Sequence, residues 1–325
     1  MTPPRLGPGR EFDRVRRIAA ALGARAAELG DDCAVLESSD RALVVSTDVS
    51  VEGVHFRTDW LTLEEIGWRA AAAALSDLAA EGADPAGVLV ALTVPADAGD
   101  AEVTAVMTGA GAASHAVGAQ VVGGDLSAGP AWSLAVTVLG WAARPVTRGG
   151  ARPGDGLWVT GMLGGPRAAL EAWRRNEPPD PLARAAFAHP APRIAAGRWL
   201  AGQGARAMID VSDGLGADAA HLAAGSGVAI TLELERVPVA MAAVVEANRL
   251  GIPAEQFAAE SGEEYELLVA LPQSFDPDSV HDLRQAAGVG LTLVGTVAAG
   301  AGVHARLGSV AVVLAGYDHF GRTAS

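Results

Sequence analysis

The chain contains no lysine: all 24 of its basic residues are arginine. This removes the phosphate-loop lysine of a Walker A site, the strand lysine of protein kinases and the amine of Schiff-base chemistry. Cysteine is nearly absent too, Cys33 standing alone among 325 residues. No intrachain disulfide and no cysteine-built zinc or iron–sulfur site can form within one chain, and the thiol count points inside the cell. Positive charge is scarce beside negative, with 38 acidic residues leaving a formal balance of −14. Phosphate-backbone affinity needs clustered cations, so no nucleic-acid partner is expected. Arg14, Arg16 and Arg17, the densest early group, read as a solvated helix face. Long apolar runs are missing as well. The opening MTPPRLGPGREF holds no secretory core, and later stretches are too short to span a bilayer. The expected location is the cytoplasm, with no membrane partner.

What is present is a composition able to bury sizeable cores: 50% apolar and 19% charged residues. The length suits two domains. Apolar runs alternate with helical patterns throughout, which argues for an α/β (α+β) fold. Strands are expected at residues 42–46, 88–94, 120–122, 132–141, 157–160, 207–209, 228–234 and 265–271. Helices are expected at 62–81, 101–117, after Gly165, and at 193–201 and 215–224. Thr62 and Glu65 make a capping-box spacing, and Gly82 fits the position after the helix end. Residues 178–192 read as a proline-rich loop. Proline and glycine gather in residues 144–155, placing a boundary between a domain of residues 1–145 and one of residues 146–325.

Four acidic motifs share a layout in which an apolar segment delivers an aspartate to its end: GDDCAVL (30–36), VVSTD (44–48), VVGGD (121–125) and MIDVSDG (208–214). Loops at the carboxyl ends of strands are where α/β sheets bind ligands. Asp77 adds a carboxylate from inside a helix whose neighbours Ala73, Ala74, Leu78 and Ala80 leave little polar face. Any one of these acids alone is read as easily as a turn or cap residue, Asp213 before Gly214 above all. Together, two such charges about 5 Å apart repel by roughly 3 kcal/mol at an effective dielectric near 20, so a cation must join them. All-oxygen donors select a hard ion, and with no EF-hand spacing Mg²⁺ carrying a phosphorylated substrate fits best. Gly123 and Gly124 allow backbone to approach phosphate, and Arg148 offers a positive fork.

The ordered set of GDDCAVL, STDVSVEGVHF, LSDLAAEGADP, VGGD, TRGGARPGD, DVSDGL, SGEEYELL and terminal YDHF resembles the thiamine-monophosphate kinase family, within the aminoimidazole ribonucleotide synthetase-like superfamily. The resemblance runs through nearly the whole chain. It implies ATP-dependent phosphorylation of thiamine monophosphate, several Mg²⁺ ions, and a homodimer joined through the N-terminal domains. By position, Asp32, Ser46, Thr47, Asp48, Asp77, Asp125, Asp210 and Asp213 resemble the metal shell. Gly124, Asp125, Arg148 and Ser212 resemble ATP contacts, and His55, Glu263 and Tyr317 resemble contacts to the thiamine substrate. Catalysis is expected of Asp48, Asp77, Asp125 and Arg148. The chain departs from the family pattern at Leu126 after GGD, at Glu264, and at Val313, Leu314 and Ala315, where relatives carry a tryptophan. Aminoimidazole ribonucleotide synthetase is the enzyme rival, and a noncatalytic acidic module for divalent ions or nucleotides is the alternative of another class. Cys33 reads as a small buried residue, and Trp60, Trp68 and Trp199 as packing residues.

Overall fold

Residues 62–82 carry the strongest local helix signals in the chain, and they form its central helix, α1 (Leu63–Ala80). Thr62 Oγ1 accepts the Glu65 N–H at 3.2 Å and Glu65 Oε2 accepts the Thr62 N–H at 2.9 Å. Such a cap contributes about 1 kcal/mol. A run of alanines supplies propensity, and Gly82, at φ +65°, takes the left-handed turn that ends the helix. The helix is buried almost all round, as expected of one enclosed between layers.

The structure, a computed structural model, describes residues 7–9, 13, 15–17, 32–36 and 40–317. Arg14, Gly30, and Asp318 to Phe320 of the YDHF motif lie outside the described residues. Before α1 come β1 (Ala34–Leu36) and β2 (Ala42–Val51). After it come β3 (Asp84–Pro95), α2 (Asp100–Ala116), β4 (Val121–Gly129) and β5 (Ser133–Ala142). Among the described residues these strands make a five-stranded sheet of order β1-β2-β5-β3-β4, antiparallel except for the parallel β3–β4 pair at its edge. Helices α1 and α2 cover one face. They meet main chain to main chain: a β-carbon on Gly67 would stand 1.8 Å from Val106 O, and one on Gly109 1.8 Å from Glu64 O.

The chain then builds β6 (Gly156–Thr160), α3 (Gly165–Arg174), α4 (Pro181–Ala188), α5 (Ile194–Gly202), β7 (Ala207–Asp210), α6 (Leu215–Ser226) and β8 (Ala229–Glu233). It continues through α7 (Met241–Leu250), α8 (Ala254–Ala259), β9 (Leu267–Leu271), α9 (Val280–Ala287), β10 (Leu291–Ala298), β11 (Gly302–Leu307) and β12 (Val310–Val312). The second sheet runs β12-β11-β8-β10-β6-β9-β7, with β11 and β8 parallel. Helix α4 falls in the stretch expected to be loop. Asp180 caps it by accepting the N–H groups of Leu182 and Ala183, and Pro181 sits at its first position.

Helix α1 packs on β2 and β5 of the first sheet and on α4, α5 and β7 beside the second. One apolar core therefore runs from Val44 and Leu134, through Leu75 and Leu78 of α1, to Met208 and Leu267. Cys33 is buried in it, and Trp60, Trp68 and Trp199 pack against it. Among the described residues no helix is long and apolar enough to cross a membrane.

Candidate active site

Strand alternation sorts the predicted site residues of β2. Ser46 points to the helix face and donates from Oγ to Asp77 Oδ2 at 2.5 Å. Asp48 shares that face: it is paired with buried Val136, which is paired with buried Val90. Thr47 points the other way, and its Oγ1 bonds to Thr137 Oγ1 at 2.8 Å. Asp77 leaves α1 toward the second sheet, where β7 ends in Asp210. From the segment before β1 comes Asp32. The three carboxylates Asp32, Asp77 and Asp210 each place an oxygen within 4.8 Å of the others.

The electrostatics of this cluster follow from its burial. Desolvation pushes Asp77 well above the usual carboxylate range, and Asp210, Asp48 and Asp32 add to the rise while Ser46 opposes it. Asp210 is pushed up to about 8, by burial first and then by Asp32. Arg148 is buried. Its guanidinium pairs with Asp32, the carboxylate that joins the cluster from the chain's start. This is a set of hard oxygen donors short of positive charge, the arrangement that suits a divalent cation.

The loop after β7 carries Ser212 and Asp213. The N-cap position of α6 is Gly214, not Asp213, and it has no side-chain cap. Instead Asp218, buried in the first turns of α6, accepts the N–H groups of Ser212 and Asp213, both at 3.2 Å. Burial, Asp213 and Asp210 push its carboxyl up. The Asp213 carbonyl accepts the Tyr317 N–H at 3.1 Å, which brings the exposed Tyr317 to the same loop. Both residues line a cavity of about 530 Å³ between α6, β11 and residues 311–317.

On the other side of that loop lies the segment 261–266. Glu263 donates its N–H to Ser212 O at 2.7 Å, and Tyr265 donates its N–H to Val211 O at 2.9 Å. Both adopt positive φ, 64° and 53°. Glu263 Oε2 takes the hydroxyl of Tyr265 at 2.5 Å and pairs with Arg69 of α1. Arg69 is buried, donates to Phe187 O at 2.7 Å, and lies 3.8 Å from the centre of the Phe187 ring. His55, half-buried after β2, accepts the Val51 N–H on Nδ1 at 3.0 Å, so its neutral form carries the proton on Nε2.

Asp125 is not brought to the cluster. It lies exposed on edge strand β4, in register with Ala91, Ala135 and Val49, on the face that carries Thr47. The glycine before it answers a packing need: a β-carbon on Gly124 would stand 1.9 Å from Val90 O of β3. Arg69, Asp218 and Tyr265 escaped the sequence reading of the site. Arg69 had a signal, being the one cation in the apolar stretch 66–80 of α1.

Fold and site define a member of the AIR synthase related class. Residues 30–142 match the AIR synthase related protein, N-terminal domain, and residues 152–308 match its C-terminal domain. The chain belongs to the thiamine-monophosphate kinase family of enzymes. It is 38% identical to the thiamine-monophosphate kinase of Halobacterium salinarum over 266 residues, 81% of this chain and 88% of that one. The match to the thiamine-monophosphate kinase of Mycobacterium tuberculosis is 38% identical over 205 residues, 62% of each. Among solved structures, AaThiL complexed with AMPPCP and TMP superposes with a TM-score of 0.86 at 31% identity, covering 96% of this chain and 97% of that one.

Proposed function

We propose that this chain transfers the γ-phosphoryl group of ATP to thiamine monophosphate, giving thiamine diphosphate. The observation that carries the reading is the convergence of Asp32, Asp77 and Asp210 within 4.8 Å beside Arg148, in a member of this family. The AMPPCP and TMP held by AaThiL support ATP as donor and thiamine monophosphate as acceptor.

The donor set fits Mg²⁺: carboxylates whose mutual repulsion a divalent cation would relieve. Asp32, Asp77 and Asp210 would hold it, with Asp48 close enough to act on Asp77. When bound, it would neutralise charge between donor and acceptor phosphates. The acceptor needs no general base from the chain, because a phosphate monoester with its second pKa near 6 is already a nucleophilic anion at neutral pH. Transfer is direct and in line. Arg148 neutralises phosphate charge, and Gly124 and Ser212 contact ATP. His55, Glu263 and Tyr317 contact the thiamine moiety, Nε2 of His55 as a donor.

The chain works as two units, 1–145 and 146–325, and as a homodimer. The sheet face opposite α1 and α2, with exposed Val49 and Asp125 on it, pairs with a second copy, which sedimentation or light scattering would show as a doubled mass. The thiamine reading is tested by ³¹P NMR of the purified protein with ATP, Mg²⁺ and thiamine monophosphate. Thiamine diphosphate appearing with ADP is the expected result. ATP loss independent of acceptor, or no change with a folded protein, overturns it, and a stable phosphoenzyme after ATP alone overturns direct transfer.

A further inference from the structure

We propose that Arg69 and Tyr265 are positioning residues that hold Glu263 with its Oε1 presented to an N–H donor of the acceptor substrate, an inference that rests on the phosphotransfer reading above. Both protein donors converge on one oxygen of the carboxylate, Oε2. Oε1 accepts no hydrogen bond from the described residues, while 26% of the side chain is exposed. The carboxylate is thus pinned at one oxygen and open at the other.

The supports of this arrangement are rigid. Arg69 sits within a buried helix, is stacked on Phe187 and bonded to its carbonyl, and has few other places to put its charge. The Tyr265 ring is buried. Positive φ at two non-glycine residues costs about 1–3 kcal/mol each, and such strain persists where surrounding contacts over-determine it. Here those contacts are the bonds of residues 263–265 to the carbonyls of Val211 and Ser212 and the shared carboxylate. The guanidinium offsets the Glu263 charge, so the pair as a whole is neutral. Oε1 then serves as a strong hydrogen-bond acceptor and not as a lone counter-ion, which favours an N–H partner. Arg69 and Asp77 stand eight residues apart on α1, a rise of about 12 Å. One helix therefore sets the spacing between the substrate anchor and the acidic cluster.

The test is a kinetic cycle of Tyr265→Phe, Glu263→Gln and the double variant, with KM for thiamine monophosphate, KM for ATP and kcat measured for each. In Glu263→Gln the two donors take the amide oxygen and leave an NH₂ group facing the substrate. KM for thiamine monophosphate should rise at least about tenfold, with KM for ATP and kcat within about twofold. Tyr265→Phe, which removes one hydroxyl, should raise the same KM by about 3- to 10-fold. The double variant should be no worse than Glu263→Gln alone, because both changes act through one carboxylate. A purely structural tyrosine would shift neither KM selectively nor couple to position 263. The proposal is overturned by Tyr265→Phe matching the parent, by effects that multiply in the double variant, or by Glu263→Gln leaving KM unchanged in an active enzyme. A folded parent that makes no thiamine diphosphate overturns instead the reading on which it rests.

Discussion

Ser46 Oγ donates to Asp77 Oδ2 at 2.5 Å, tying β2 to α1 at the point where three carboxylates meet. That hydroxyl opposes only part of the rise that burial and three neighbouring aspartates impose on Asp77. Asp77→Asn should lower turnover by at least about 10³-fold, since the phosphates lose a charged anchor for Mg²⁺. The metal-free protein should melt no lower than the parent, because the burial and neighbouring aspartates that disfavour a charge at this position no longer act on an ionisable group. Steady-state kinetics and melts in chelator check both halves, and a melt lowered by many degrees would remove Asp77 from a strained cluster.

Arg148 brings a positive charge to these acids through Asp32. Arg148→Ala should cost about 10³-fold in turnover and also destabilise the metal-free fold, because Asp32 then stands beside Asp77 and Asp210 without the charge of that guanidinium. Asp32→Asn introduced into that variant should recover stability but not activity. Melts of the two variants against the parent decide it.

Asp125 occupies an exposed edge strand, away from the three converging carboxylates. The family resemblance gives Asp125 a part in metal and ATP binding, so Asp125→Asn should abolish nearly all turnover while the protein stays folded. Full activity in a folded variant would free Asp125 from any part in metal or ATP binding.

Glu264 accepts the Gly164 N–H at 2.6 Å, and burial pushes it up to about 8 from an ordinary 4.5. A carboxyl raised in the fold favours its protonated form. Its contribution is fully present below about 4.5 and is lost as pH rises through about 8. Glu264→Gln keeps an acceptor for Gly164 without the charge. Melting temperatures should be level with the parent at pH 4.5 and clearly higher than the parent at pH 9.

Elements with local signals were legible in the sequence: the Thr62–Glu65 capping box and the alternating run of β5 each appear within a residue or two of expectation. The last expected strand begins at Leu267 and not at 265, because positive φ at Glu263 and Tyr265 breaks the extended run that their side chains suggest. Helix α4 hid behind prolines that in fact mark its start. Asp32, Asp77 and Asp210 were recognisable as acids at element ends or faces. That Ser46 and Thr47 face opposite sides of a sheet follows from strand alternation, but only once β2 is known to continue through Asp48 to Val51. The Arg69–Glu263 pair joins residues 194 apart, and no local pattern encodes a partner at that separation.

Gly67 and Gly109 let α1 and α2 touch backbone to backbone, which fixes one helix against the other. Side chains packed between helices can change rotamer and let one helix creep along another, but two main chains in direct contact have no such slack. Helix α1, which bears both Arg69 and Asp77, is therefore the stationary jaw of the site. Adjustment to an incoming substrate falls to the segments that approach it, residues 211–213 and 261–265, and hydrogen exchange along α1 should stay slow while these loops respond to ligand.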